Sequence, residues 1–540
     1  MTEKRSYPVQ AVKAHASDIE KSEDLYYDAS EEIFYTNAEE KCLVRRLDIW
    51  LLPILMISYG LQYWDKALLG QAVLFNLSKD LDLTQVIGHT STGVSITSST
   101  RYSNCSFIFY IGYLVATYPV AMLTQRYPTA KVCAAFIFLW SIVMMSTAAC
   151  RTYAELMVNR TFLGVTEACV APAFTVYITF WWTRREQPLR SSLWYGMTGV
   201  GTIVSPLISY GIGHIHGSFG ESTWKYMYLI AGANNPVSAK WLNDKERAII
   251  LARLKENNAG FIERRFKKEQ LWEALKDFNL WANTFIVLIT GIPSSIFASF
   301  SSLVIKGLGF TNFNSLLLQM PLGFVALVSV YGSGYITRKW ENMRFIMMFV
   351  CALPALAGGL ICWKGPRDNP NLLYVGVVLL PFVVGANAIG VGLSSSNVAG
   401  HTKKSAVSAA TFIGYCVGNM LGPVCFSSTP GPVYQGGFIA CTVSTAVVMI
   451  MAVTGRIVLA RENVRRDREY GPPDNSHALE DFTDRENTNF RGVIYHVQYN
   501  DIRNERVSED VNIEGKANVF FSGIEEHITA SYTRVIDEDD

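Results

Sequence analysis

The sequence predicts an all-α membrane protein of twelve helices in two six-helix halves, on three observations. Half of the 540 residues are apolar, only 17% are charged, and mean hydropathy is +0.18 despite long polar ends, a balance foreign to a soluble chain of this length. Runs of about 20 mostly apolar residues, the length that a spanning helix needs, recur along the chain. Lys and Arg collect in alternate connections between those runs, as the retention of basic loops on the cytoplasmic side requires.

The runs fall at 47–64, 107–125, 132–149, 156–180, 192–214, 280–300, 314–336, 345–363, 371–395, 405–427 and 437–459. Between the fifth and sixth lies a fragment, "KYMYLIAGANNP", with few apolar residues before Asn234, Asn235 and Pro236. Basic residues gather at Arg45 and Arg46, Arg126 and Lys131, Arg184, Arg185 and Arg190, through 240–276, at Arg338, Lys339 and Arg344, at Lys403 and Lys404, and after Arg456. The alternate connections hold only Lys79 and Arg101, Arg151, Lys225, Lys306, and Lys364 with Arg367. Both termini and the 236–279 loop are therefore expected in the cytoplasm, a parity that holds only if the fragment counts as a crossing. The organisation expected is a disordered tail (1–44), a bundle of helices 1–6 with a short sixth (45–235), a cytoplasmic loop (236–279), a bundle of helices 7–12 (280–461) and a second disordered tail (462–540). "TQRYPTAK" after the second run and "ITRKWENMR" after the eighth faintly repeat each other, as parallel six-helix repeats would. Short basic turns of this kind arise anyway, so the arrangement rests mainly on spacing and charge. In the central loop, "KWLNDKERAIILARLKEN" reads as an amphipathic helix lying on the cytoplasmic face and latching the halves.

Several classes are excluded. A net charge of +1 gives no surface for nucleic acid. The ten cysteines form no CxxC pair and mostly sit in apolar runs, which makes them small apolar side chains; no metal site or other cofactor is expected. No cleavable signal peptide is visible. The loops hold no HExxH, GxSxG, P-loop or paired-Asp motif, so no enzyme is expected.

Charges inside spans cost a few kcal/mol or more at the bilayer centre and survive facing a cavity or a partner. "MVNRTFLGVTEACVAPAF" carries Arg160 and Glu167, about two turns and roughly 10 Å apart on one helical face, with Gly164 between them. Arg160 could instead snorkel to the outer surface, and Glu167 could serve a purely structural ion pair; a cavity-facing pair explains both better. Asp65 and Lys66, in "YGLQYWDKALLGQAV", fall at the end of the first run. An interfacial ion pair there would cost little, so charge alone does not assign them.

Four stretches carry a family resemblance. "YWDKALLGQAV" resembles the Asp-Arg/Lys pattern closing the first helix in fungal organic-anion carriers of the major facilitator superfamily. "RTFLGVTEACVAPAF" resembles the R-x-x-x-G-x-x-E-x-x-x-P pattern of their fourth helix, and "TFWWTRREQPLR" the turn that follows it. "SSSNVAGHTKKSAVSAATFIGYCVGNMLGP" resembles the signature from the tenth to the eleventh helix of the allantoate permease group among the anion:cation symporters. The matches cover roughly residues 45–490. The resemblance implies the major facilitator fold, substrate between the halves and alternating access. It also implies an anion held by Lys66 and Arg160, a proton site at Glu167, and Asp65 as the restraining partner of Lys66 and a second candidate for proton coupling. Arg can grip a carboxylate as a planar fork and Lys as a compact charge.

Asn387, Tyr415 and Asn419 are further candidates for lining the cavity, although small polar residues also join helices. His401 and Lys403, with Lys404 beside them, are expected at the cytoplasmic surface or in gating, as are Arg126 and Arg185. Pro172, Pro206 and Pro423 are expected to mark bends and no more. Two stretches depart from the family pattern. The polar insert at about 85–100 is either a solvated outer loop or an exon-boundary artefact, and "LIAGANNPVSAKWLNDKERA" resembles the sixth helix and following loop with over a dozen residues missing. The function expected is proton-coupled uptake of a small organic anion such as allantoate or a related ureide, by a monomer in the bilayer of the plasma membrane. The alternatives are a carrier for nicotinate, pantothenate or a small peptide, or a non-transporting nutrient sensor.

Overall fold

The computed structural model describes residues 4–5, 35–89, 95–127, 129–182, 186–215, 222–233, 268–340, 342–396, 398, 401–427, 434–470, 483–484 and 486–487. Lys4–Arg5 (β1) pairs antiparallel with Tyr35–Thr36 (β2). Asn37–Trp50 (α1) and Leu52–Val73 (α2) make the first crossing, followed by the short Leu77–Asp80 (α3). The polar insert is a hairpin: Gln85–His89 (β3) pairs antiparallel with Ser95–Ser98 (β4), Gln85 opposite Ser98. Extended pairing is thus what the insert adopts, where the sequence showed no periodicity.

The amino-terminal half continues with Thr100–Arg126 (α4), Thr129–Ser146 (α5), Tyr153–Glu167 (α6) with Val170–Trp181 (α7), and Gln187–Tyr195 (α8) with Met197–Gly213 (α9). The described part of the sixth crossing, Trp224–Ala233 (α10), has 10 residues, about 15 Å at 1.5 Å per residue against a bilayer core of about 30 Å. Lys268–Leu275 (α11) leads into the second half: Phe278–Gly307 (α12), Asn312–Leu317 (α13) with Met320–Lys339 (α14), Arg344–Lys364 (α15), Pro370–Leu379 (α16) with Val383–Ser396 (α17), His401–Ser427 (α18) and Gln435–Tyr470 (α19). The chain is an integral, multi-pass membrane protein; among the described residues seven helices are long and apolar enough to cross. The expected amphipathic stretch 240–257 lies outside the described residues.

The breaks have a covalent cause. Pro53, Pro172, Pro321 and Pro381 each lack the N–H that would bond one turn back, and each stands just after a break: at Leu51, at Ala168–Cys169, at Leu318–Gln319 and in the 3-10 turn Leu380–Phe382. Pro206 and Pro423 remain inside α9 and α18. Pro172 therefore does more than mark a bend, since the break it causes ends α6 on Glu167.

The halves meet where α4 packs on α18, α9 on α14, and α2 on α12. Close approach depends on small residues. A Cβ on Gly199 would come within 2.7 Å of the Gly323 carbonyl oxygen, and one on Gly323 within 2.7 Å of that of Gly199. Two expectations about the tails need correction. The last helix runs to Tyr470, beyond 461, and Thr483 and Asp484, placed in a disordered tail, are buried. Helix α11, the described part of the central loop, packs on α12 and α18 of the second half.

Candidate transport site

Asp65 and Lys66 sit well inside α2, because the helix continues to Val73 through the apolar "ALLGQAV". The expectation that they close the first span at an interface is therefore corrected. Asp65 is 1% exposed, and an unpaired carboxylate there would carry a large desolvation cost. The fourth crossing supplies the partners. A Cβ on Gly164 would lie 2.0 Å from the Phe109 carbonyl oxygen of α4, so only glycine lets α6 settle against α4 with Arg160 and Glu167 directed at α2.

The pairing is crossed. Lys66 Nζ lies 2.8 Å from Glu167 Oε1, and Arg160 Nη1 lies 3.8 Å from Asp65 Oδ1. Lys66 is thus held by Glu167, and the expected Asp65–Lys66 restraint is replaced by two bridges between crossings one and four. The reason is helical geometry: adjacent residues diverge by about 100° and cannot face each other, while Arg160 and Glu167 share one face. Two cations and two carboxylates make the cluster formally neutral.

Other side chains, not foreseen from sequence, complete it. Trp140 Nε1 of α5 donates to Asp65 Oδ2 at 2.9 Å. Arg160 Nη2 donates to the Tyr228 hydroxyl at 2.5 Å, with the guanidinium carbon 5.5 Å from that ring's centroid. Tyr228 belongs to α10, so the sixth crossing contributes to the site. Some hydrogen-bonding capacity remains unused: Arg160 Nε has no hydrogen-bond partner among the described residues. The signal for Trp140 and Tyr228 was faint, an indole and a phenol inside apolar runs, where such polar tips need a partner.

The second half faces this cluster with neutral groups. Asn387 accepts from Thr290 Oγ1 at 2.9 Å and donates to the Tyr195 hydroxyl at 2.8 Å. The Tyr110 hydroxyl donates to Asn419 Oδ1 at 3.2 Å, and Asn419 donates to the Tyr415 carbonyl oxygen at 2.7 Å. The Tyr110 and Tyr415 rings stand edge to face, 6.3 Å apart. Asn387 and Asn419 therefore bond across the plane between the halves, which sequence alone left open.

The gating candidates divide. The side chains of Arg126 and His401, and Arg185 altogether, lie outside the described residues. Lys403, expected at the surface, is fully buried among three carboxylates. Asp48, the one charge early in the first span, takes Arg190 as a fork at 3.1 and 2.8 Å and the Trp182 indole at 3.0 Å, tying the first crossing to the end of the fourth and the start of the fifth. Among the described residues no group of three or more His, Cys, Asp or Glu could hold a metal.

Comparison with known proteins agrees with this architecture. The family model described as Major Facilitator Superfamily matches residues 55–423. An uncharacterized transporter of Schizosaccharomyces pombe is 34% identical over 484 residues, 86% of this chain and 89% of its own. The allantoate permease of Saccharomyces cerevisiae is 30% identical over 495 residues, covering 86% and 88%, and a thiamine pathway transporter of the same yeast is 28% identical, covering 87% and 90%. Among solved structures, a bacterial homolog to the human lysosomal transporter Spinster aligns at a TM-score of 0.53 and 14% identity, over 76% of this chain and 96% of that one, a likeness of fold. With twelve crossings in two halves, a family model across most of the membrane region and transporters as relatives, the chain belongs to the major facilitator superfamily and is a transmembrane transporter.

Proposed function

We propose that the protein imports a small organic anion together with a proton, most like allantoate or a related ureide, by alternating access. The observation that carries this reading is the neutral, crossed quartet of Lys66, Glu167, Arg160 and Asp65. A buried site tolerates net charge poorly. An anion that takes Lys66 from Glu167 leaves the cluster with one excess negative charge, and one proton on Glu167 restores neutrality. Anion and proton then bind together or not at all, which is the requirement for symport. Arg160, with an unused Nε donor and a second amine on Tyr228, is the planar grip for a carboxylate. Asn387, Asn419 and Tyr415 would meet the rest of the substrate, and amides match the N–H and C=O groups of a ureide. The relative named allantoate permease supports that class. The reading includes a monomer in the plasma membrane with both termini in the cytoplasm.

The test is uptake of labelled allantoate at several external pH values by cells lacking their own carriers. Glu167→Gln keeps the size of the side chain and loses the titrating group. It should abolish accumulation driven by an inward proton gradient and preserve counterflow in vesicles, because exchange need not release the proton. Normal pH-driven accumulation by Glu167→Gln would move the proton site to Asp65.

A further inference from the structure

Five elements converge at the start of the eleventh crossing. Lys403 Nζ lies 2.8 Å from Glu273 Oε1 of α11, 2.5 Å from Asp277 Oδ2 and 2.7 Å from Asp484 Oδ1. Asp277 also caps α12, accepting from the Asn279 amide at 3.0 Å, and Gln270 Oε1 accepts from the Thr402 amide at 3.2 Å. Ala274, Leu280, Val398 and Val407 form a small apolar cluster beside the lysine. The fifth element is a turn far along the chain. Glu486 Oε2 accepts from the Thr483 amide at 2.8 Å, Thr483 Oγ1 accepts from the Glu486 amide at 3.2 Å, and the Asn487 amide donates to the Thr483 carbonyl oxygen at 2.9 Å. Arg466 of α19 holds the Asp484 carbonyl oxygen at 2.7 Å.

The partners of Lys403 are unequal. Glu273 and Asp277 sit on elements joined to the membrane bundle and already outnumber the lysine. Asp484 adds a third carboxylate to a charge that needs only one, so its departure leaves Lys403 paired and returns an aspartate to water. A contact so arranged is reversible by design of its charges: the docked turn is held through Lys403 and Arg466, while Lys403 keeps two carboxylates without the turn. Burial lifts the Asp484 carboxyl above the ordinary range of an aspartate, against the pull of Lys403, which makes docking still easier to undo.

We propose that the turn carrying Thr483, Asp484, Glu486 and Asn487 is a detachable strap, and that Lys403 with Gln270, Glu273 and Asp277 forms its docking site, which joins the starts of the seventh and eleventh crossings when the strap is seated. The occupant is an acidic, self-capped turn of this same chain, and the site reads its single buried carboxylate.

Hydrogen exchange of the full chain in lipid nanodiscs tests this without any transport substrate. Asp484→Asn keeps Glu273 and Asp277 on Lys403 and so preserves the fold. It should raise exchange at the Thr483 and Asn487 amides at least tenfold and at 401–407 at least threefold, with α2 and α6 unchanged. A synthetic peptide of residues 476–490 added to that variant should restore protection at 401–407, and the same peptide carrying Asp484→Asn should not. Unchanged exchange in the variant overturns the proposal. So does a rise spread over all helices, which would make the turn a fixed part of the fold, and so does a peptide that fails to restore protection.

Discussion

Both halves cross the membrane with helices that are broken along the way, α1 with α2 and α6 with α7 in the first, α13 with α14 and α16 with α17 in the second. What sets the first half apart is interior charge: Asp65 and Lys66 lie inside α2, and α6 carries Arg160 and ends on Glu167. The second half presents Thr290, Asn387 and Asn419 to the same region. Two six-helix units of one fold thus hold different chemistry, ion pairs in one and amide and hydroxyl bonds in the other. On the proposed function, charge would set whether the site accepts an anion and a proton, and neutral hydrogen bonds would grade one substrate against another. A division of labour of this kind needs no difference in backbone architecture.

The largest effect that would break this contrast is on stability. Lys66→Met leaves Glu167 buried without its cation and should cost about 3–5 kcal/mol. The double change Lys66→Met with Glu167→Gln should recover most of that while remaining inactive. Thermal unfolding of the purified variants, beside uptake, is the check; a double variant as unstable as the single one would mean that the pair does not hold the half together.

Next in size is Arg160→Lys, which keeps the charge and loses both the fork and the geometry at Tyr228. Apparent affinity for the anion should fall by about 2 kcal/mol, roughly thirtyfold in KM, with the pH profile of uptake retained. Tyr228→Phe should cost less, since the guanidinium keeps Asp65. Equal losses in the two variants would show the phenol, and not the fork, to be the binding group.

In the second half the effects should be smaller and different in kind. Asn387→Ala and Asn419→Ala each remove neutral hydrogen bonds, about 1 kcal/mol or about fivefold in KM. Neither should shift the dependence of uptake on external pH, and a shift would erase the contrast between the halves. The smallest effect concerns α10. Transcripts are expected to include a form with about fifteen more apolar residues near Ala233, a length that would complete a span of about 30 Å. That form should unfold higher by less than about 1 °C. Sequenced transcripts carrying only the short form, with the short protein equally stable, would count against it.

Much of this was legible in the residues. Apolar run length located the crossings, because a bilayer core admits only helices with every backbone group bonded internally. Arg160 and Glu167 stood out because a charge in a span needs a partner. Run length failed where polar residues interrupt a helix without ending it: the run 47–64 stops at Asp65, while α2 carries on to Val73. The hairpin at 85–98 was hidden because short Ser/Thr-rich strands leave no burial pattern to read.

The sequence by itself determined the membrane class, the two halves, the interior charges of the fourth crossing and the polar candidates of the tenth and eleventh. These follow from composition and from periodicity along one helix, which are local properties. Which charge pairs with which was decided only by tertiary structure. Lys66 meets Glu167, and Arg160 meets Asp65, because Gly164 lets α6 lie against α4 and turns its charged face towards α2. The burial of Lys403 under Asp484, 81 residues later in the chain, has the same origin: a basic residue near a span end reads as solvated until the fold brings its carboxylates to it.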